Sequence, residues 1–426
     1  MTPEVKERIE QIRHGNVPEG YKKTKLGIVP AEWTEYTIGE CLERVERPVD
    51  VQANEMYTQI GIRSHGKGLF YKEPVTGASL GNKAVYWVEP DCFVLNIVFA
   101  WEQAVSKTTQ NEVGMIGSHR FPMYRPIDGR VDVDYLITYM LTKRGKDILE
   151  AASPGGAGRN RTLGQDRFMK SKIVLPSVYE QHRIAETLTA QNEVIELEEK
   201  LLAEKQRQKK YLMQQVLSGK KRLSGFNDNW KFAELGKISK KQKEKNKNFE
   251  YAQVFSNSAQ HGIVPQIEQF DKEIANEERI DGYYIVHDGF FVYNPRISVT
   301  APCGPINRNE TGKTGVMSPL YTVFSIESEA INKDFLKQYF KSSCWFRHMK
   351  SVANYGARHD RMNVSDEDFF LMPIPIPSME EQQAIAEILM AADREIELLQ
   401  QDLEQEKQKK KALMQLLLTG IVRVNV

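Results

Sequence analysis

Two short stretches combine arginine, asparagine and glycine in the way that nucleic-acid recognition uses them. The first is Gly155-Gly156-Ala157-Gly158-Arg159-Asn160-Arg161, with Arg167 close behind. Small residues let a backbone approach a phosphate, and Arg and Asn are the side chains suited to bidentate contact with base edges. The second, Tyr355-Gly356-Ala357-Arg358-His359-Asp360-Arg361, carries the same chemistry in another order. A further pair of segments shares a glycine frame but differs at its polar tips: Arg63-Ser64-His65-Gly66-Lys67-Gly68 and Asn257-Ser258-Ala259-Gln260-His261-Gly262. A shared frame with different tips suits domains that read different base sequences, because phosphate contacts position and base contacts specify. Solvated loops and ordinary hairpin turns have the same composition, so all of these remain candidates.

The candidate contacts are therefore Arg63, Ser64, His65, Lys67, Arg159, Asn160, Arg161 and Arg167 in the first half of the chain. In the second half they are Asn257, Ser258, Gln260, His261, Arg358, His359 and Arg361. Lys107, Arg120, Arg296, Arg308 and Lys313 each read, taken singly, as surface charge. The run from Lys237 to Lys247, six lysines against one glutamate, fits a track along a phosphate backbone and a solvated segment equally well. The lysines near the end of each long helix described below read as solvated surface favoured at a helix C-terminus.

Other chemistry finds no support. The four cysteines, Cys41, Cys92, Cys303 and Cys344, stand apart with no CxxC or Cys/His cluster, which argues against a zinc site or a disulfide framework and fits a reducing cytoplasm. His65 and His261 have no companion ligands, so no metal is expected. There is no P-loop and no convincing carboxylate cluster for a divalent cation. Base methylation needs a glycine-rich turn for its methyl donor and an Asn-Pro-Pro-aromatic element for a flipped base; Asn294-Pro295-Arg296 lacks the second proline and the aromatic. The chain is expected not to be an enzyme. No leader-like apolar segment and no run of membrane-spanning length occurs, so a soluble cytoplasmic protein is expected. The net charge of +1 gives no overall signature for nucleic acid, and the distribution of charge matters more.

What must position these loops is a tandem duplication. Pro176–Leu223 aligns without a gap on Pro377–Val424, with roughly 20 of 48 positions identical. Ser177-Val178-Tyr179-Glu180 and Ser378-Met379-Glu380-Glu381 read as capping boxes after a proline, and Gly219 and Gly420 as helix stops. Each copy predicts one helix of about 40 residues, or about 60 Å. Ile385, Leu389, Ala392, Ile396, Leu399 and Leu403 form a coiled-coil seam that Leu413 and Leu417 resume. The first copy keeps Ile184, Leu188, Ile195, Leu202, Leu212 and Val216 but breaks the seam at Gln191, Glu198, Lys205 and Lys209. Weaker correspondence continues outside the helices, from Leu26–Trp33 against Leu223–Trp230 to Phe168 against Phe369. Short β-branched and aromatic runs (Ala84–Val88, Phe93–Phe99, Tyr283–Val286, Phe290–Tyr293) mark strands.

The expected fold class is α+β: two globular mixed domains separated by two long helices packed on each other, with an internal pseudo-two-fold repeat. The expected divisions are an N-terminal helical segment (1–20), a first recognition domain (21–175), a central helix (176–222), a second recognition domain (223–376) and a C-terminal helix (377–426).

The pattern resembles the specificity subunit of type I restriction–modification systems. The residues that carry the resemblance are Gly356-Ala357-Arg358, Asp368-Phe369, Pro373-Ile374-Pro375-Ile376-Pro377, Glu381-Gln382 and Ile385-Ala386. Their first-half counterparts are Gly155, Arg159, Phe168, Ile173-Val174-Leu175-Pro176, Glu180-Gln181 and Ile184-Ala185, preceded by Gly27-Ile28-Val29-Pro30-Ala31-Glu32-Trp33. Val174 stands where the second copy has Pro375, and Asn227 where the first has Pro30. The resemblance implies that each globular domain reads one half of a split double-stranded DNA target. It also implies that the helices pack as an antiparallel coiled coil, a ruler that docks two adenine methyltransferase subunits, with translocase–nuclease subunits joining. S-adenosylmethionine, ATP and Mg are then expected on the partners, with no cofactor in this chain. A specificity subunit of a type II system with a fused methyltransferase–nuclease partner and a coiled-coil scaffold without DNA recognition are the alternatives.

Overall fold

Each half of the chain closes on itself through a strand that leads directly into a long helix. Thr34–Thr37 pairs antiparallel with Lys172–Leu175, and Lys231–Glu234 pairs with Pro373–Ile376. The computed structural model describes residues 2–155, 161–266, 277–354 and 360–424. These divide into two units, residues 1–198 with 402–426 and residues 199–401.

The first unit is built on a four-stranded antiparallel sheet in the order Val105–Lys107, Phe93–Leu95, Met123–Pro126, Leu42–Val45. In the second unit the order is Ile306–Arg308, Phe291–Tyr293, Thr322–Ile326, Ser239–Gln242. Position for position this is the same sheet. Each unit adds the hairpin that carries candidate residues, Ile60–Ile62 with Leu69–Tyr71 and Phe255–Ser258 with Gly262–Pro265. The apolar run expected as a strand over Phe93–Phe99 ends at Leu95, because the Asn96 side chain accepts a hydrogen bond from the Val98 amide and turns the chain.

A helix covers each sheet. Val133–Met140 is capped by Asp132, which accepts from the Tyr135 amide, and Lys333–Lys341 by Asn332, which accepts from the amides of Asp334 and Phe335. The long helices run Val178–Val216 and Met379–Leu417. Their pairing is antiparallel within each unit. In the first, Gln191 donates to Glu406 at 2.6 Å; in the second, Lys205 meets Glu395 at 2.5 Å and Lys209 meets Asp393. Three of the four breaks in the apolar seam are thus bridged by polar partners from the facing helix.

Each core is completed by both helices. In the first unit Phe93, Phe168 and Tyr135 pack with Ile184 and Leu188 from the start of one helix and Leu417 and Leu418 from the end of the other. In the second, Phe291, Phe324 and Phe369 pack with Ile385 and Leu389 and with Met213 and Val216. The α+β class, the two mixed domains and the repeat with paired long helices all stand as expected.

Candidate nucleic-acid interface

The Glu-Gln dipeptide at the start of each long helix fixes the frame. Gln181 is fully buried; its amide donates to the Arg130 and Pro176 carbonyls, and its oxygen accepts from the Asp132 amide. Gln382 does the same with Ala330, Pro377 and Asn332. One side chain so ties the strand, the helix start and the cap of the sheet-covering helix. The neighbouring glutamate corrects the capping-box reading. Ser177 and Ser378 accept from the amides of Glu180 and Glu381, but the carboxylates do not reach back. Glu180 is 1% exposed and takes a bidentate pair from Arg423 at 2.5 and 2.7 Å. Glu381, also 1% exposed, takes one from Arg222 at 2.7 Å twice. A charge-assisted fork outweighs a backbone amide for a buried carboxylate. Both arginines lie just past a helix stop, identical at equivalent positions of the repeat, and that identity was the signal available in the sequence.

In the first unit the candidate loops converge on the short turn Ala100–Glu102. Ser64 donates to the Glu102 carboxylate at 2.8 Å, and the amides of His65 and Gly66 donate to the carbonyls of Glu102 and Gln103. His65 adopts a left-handed φ of 61°, and Leu141 lies where a Cβ on Gly66 would be, so the tip is seated closely. Arg161 lies over the Trp101 ring at 5.5 Å. Arg63 is drawn back onto its own hairpin, donating to the Leu69 carbonyl and stacking on Phe70 at 5.1 Å. Lys67 and Arg167 are exposed. Arg159 and Asn160 lie outside the described residues.

The second unit treats its hairpin differently. Asn257 is buried and donates to the Val292 carbonyl at 2.7 Å while accepting from Asn307 at 2.7 Å. Its amide is engaged in hydrogen bonds that join strands. The buried Ser258 hydroxyl accepts from the amides of Gln260 and His261 and shapes the turn. Gln260 and His261 are exposed and border a cavity of about 450 Å³ reaching Thr300, Arg308 and Phe346. Arg361 pairs with Asp360 at 3.6 Å and lies in a β-bridge with Arg296, which brings two arginines together that sequence spacing left apart. Arg358 and His359 lie outside the described residues. Arg308 is held by Glu310 and Asp334, and Lys107 by Asp134 at 2.8 Å, so both are engaged internally.

Within the lysine run, Lys241 pairs with Asp366 and Lys237 with Glu234. Asn246 is fully buried, bonded in both directions to the backbone of Tyr251. That residue closes a turn, a role the surrounding lysines mask in the sequence. Burial pushes the thiols of Cys41 and Cys92 up to about 11, which leaves neither a ready nucleophile. Among the described residues no group of three or more His, Cys, Asp or Glu could hold a metal ion, and no helix is long and apolar enough to cross a membrane.

Comparison with known proteins meets this architecture at full length. The putative type I restriction enzyme MjaX specificity subunit of Methanocaldococcus jannaschii is 23% identical over 95% of this chain and 97% of its own. The MjaVIII specificity subunit of the same organism is 38% identical over 24% of this chain and 23% of its own. Among solved structures, the HsdS subunit from Thermoanaerobacter tengcongensis superposes with a TM-score of 0.54 at 17% identity, covering 92% of this chain and 98% of that one. A chain from a study of complex assembly and conformational transition in the type I restriction–modification system gives 0.58 at 17% identity, covering 92% and 99%. A family model, the type I restriction modification DNA specificity domain, matches twice, at residues 30–206 and 227–406. Each match takes in one sheet, its hairpin and most of the helix that follows, so with both copies on one chain this protein belongs to the type I restriction–modification DNA specificity family.

Proposed function

We propose that this specificity subunit recognises a bipartite double-stranded DNA target, one half per globular domain, and directs adenine methylation and restriction carried out by other subunits. One observation carries this reading: the same sheet and the same Gln–Glu–Arg bracket recur in both units, while the hairpin tips differ. A constant frame with variable tips is what two readers of unlike half-sites need. Contacts in the first half-site would come from Arg161, Lys67 and Arg167 together with Arg159 and Asn160. Those in the second would come from Gln260, His261, Arg361, Arg358 and His359. The engaged positions of Asn257 and Ser258 suit the support of those tips.

The paired helices would set the unread gap and dock two adenine methyltransferase subunits, with translocase–nuclease subunits completing the assembly in the cytoplasm. S-adenosylmethionine, ATP and Mg would be held by those partners, and this chain would contribute recognition without catalysis. The test is a genome-wide map of N6-methyladenine with and without this gene, its methyltransferase partner present. Loss of one split motif methylated on both strands is the expected outcome. Failure of the purified methyltransferase complex to select any split sequence from random DNA would overturn the reading.

A further inference from the structure

The first unit carries an apolar groove with a basic rim. The cavity, about 820 Å³, is floored by Leu141, Ile195, Met414 and Leu418. Its rim holds Lys143, Arg144, Lys407, Lys410 and Lys411; among the described residues no carboxylate pairs with Lys143, Arg144, Lys410 or Lys411, and no acidic residue lines the groove. The repeat shows what satisfied the same place in the second unit. There Asp393 pairs with Lys209, lies 3.6 Å from Lys341 and accepts from Gln338 at 2.9 Å. Lys410 is the repeat equivalent of Lys209, but Asn192 stands where the second copy has Asp393 and Leu141 where it has Lys341. The first unit thus has the lysine without the acid, and Leu141 in place of a lysine beside Ile195, Met414 and Leu418.

We infer that this groove docks an acidic amphipathic helix of a protein partner, once per chain. Apolar side chains of such a helix would cover Leu141, Met414 and Leu418, and its carboxylates would meet Lys143, Arg144, Lys411 and, foremost, Lys410. Nucleic acid would match the charge but leave the apolar floor bare, so a protein segment fits better. The inference goes beyond the DNA-reading function and does not depend on it.

The experiment uses the full chain and a synthetic helical peptide of about 20 residues, leucines on one face and glutamates on the other. Fluorescence anisotropy should find one peptide per chain. Lys410→Glu combined with Lys411→Glu should weaken binding at least about tenfold. Asn192→Asp, nearly isosteric and placed as Asp393 is in the second unit, should supply the missing acid from within and weaken the peptide severalfold. Absence of peptide binding, binding indifferent to both changes, or displacement of the peptide by duplex DNA would overturn the inference. Loss of DNA recognition by the unaltered chain would leave it standing.

Discussion

The two units use one bracket with unequal security. In the second, Glu381 receives Arg222 and a third hydrogen bond from the Trp230 indole at 2.9 Å. In the first, Arg423 serves Glu180 and also lies 3.3 Å from Glu32, and the indole of Trp33, the equivalent tryptophan, is buried with no hydrogen-bond partner among the described residues. The hairpins differ in the opposite sense. The first is seated on the Ala100–Glu102 turn, whereas the second borders an open cavity. The repeat is therefore preserved where it holds the helices and has diverged where it faces a candidate ligand.

The sharpest way to break this comparison is to remove each arginine. Arg423→Ala leaves Glu180 buried with no other donor to its carboxylate among the described residues, a loss expected at about 3–5 kcal/mol for a broken buried pair. Arg222→Ala leaves Glu381 with the Trp230 indole and should lose less. Thermal unfolding of the two variants measures the difference, and equal losses would mean that the indole contributes nothing. Next in size is recognition. Arg161→Ala should weaken binding by about 1–3 kcal/mol at one half-site, and Arg361→Ala at the other. Equal loss at both half-sites from either change would make these arginines general phosphate contacts. The smallest effect separates the tryptophans. Trp230→Phe removes a hydrogen bond to a charged group and should destabilise by about 1.5–3 kcal/mol. Trp33→Phe removes an indole N–H that has no partner among the described residues, and should lose about 1 kcal/mol less than its counterpart. The same melting curves decide it.

Much of the frame was legible because it rests on local signals. The helix starts at Ser177 and Ser378, the stops at Gly219 and Gly420, and the strands around Val85, Phe93, Tyr284 and Phe291 follow from capping, glycine and β-branched patterns. The role of the glutamates did not follow. A capping box is a local expectation, and its competitor at Glu180 is Arg423, 243 residues away. Core completion by Leu417 in one unit and Met213 in the other was hidden for the same reason: antiparallel pairing joins positions with no sequence proximity. Candidate contacts could be placed on loops by composition alone, but composition did not separate Asn257 and Ser258, which hold the hairpin, from Gln260 and His261, which face outward. Nor did it bring Arg296 beside Arg361, since a bridge between distant loops leaves no periodic trace.

The interleaved cores also bear on the order in which the protein matures. The second unit is one continuous stretch, residues 199–401, whereas the first needs residues 402–426. A growing chain therefore carries its earliest domain without Leu417, Leu418 or the arginine for Glu180 until residues 402–426 leave the ribosome. The second unit can close first, although it is made later, and the first waits on a contact spanning most of the chain, the kind of closure that slows folding. Premature termination after residue 401 would thus be felt in the domain synthesised first.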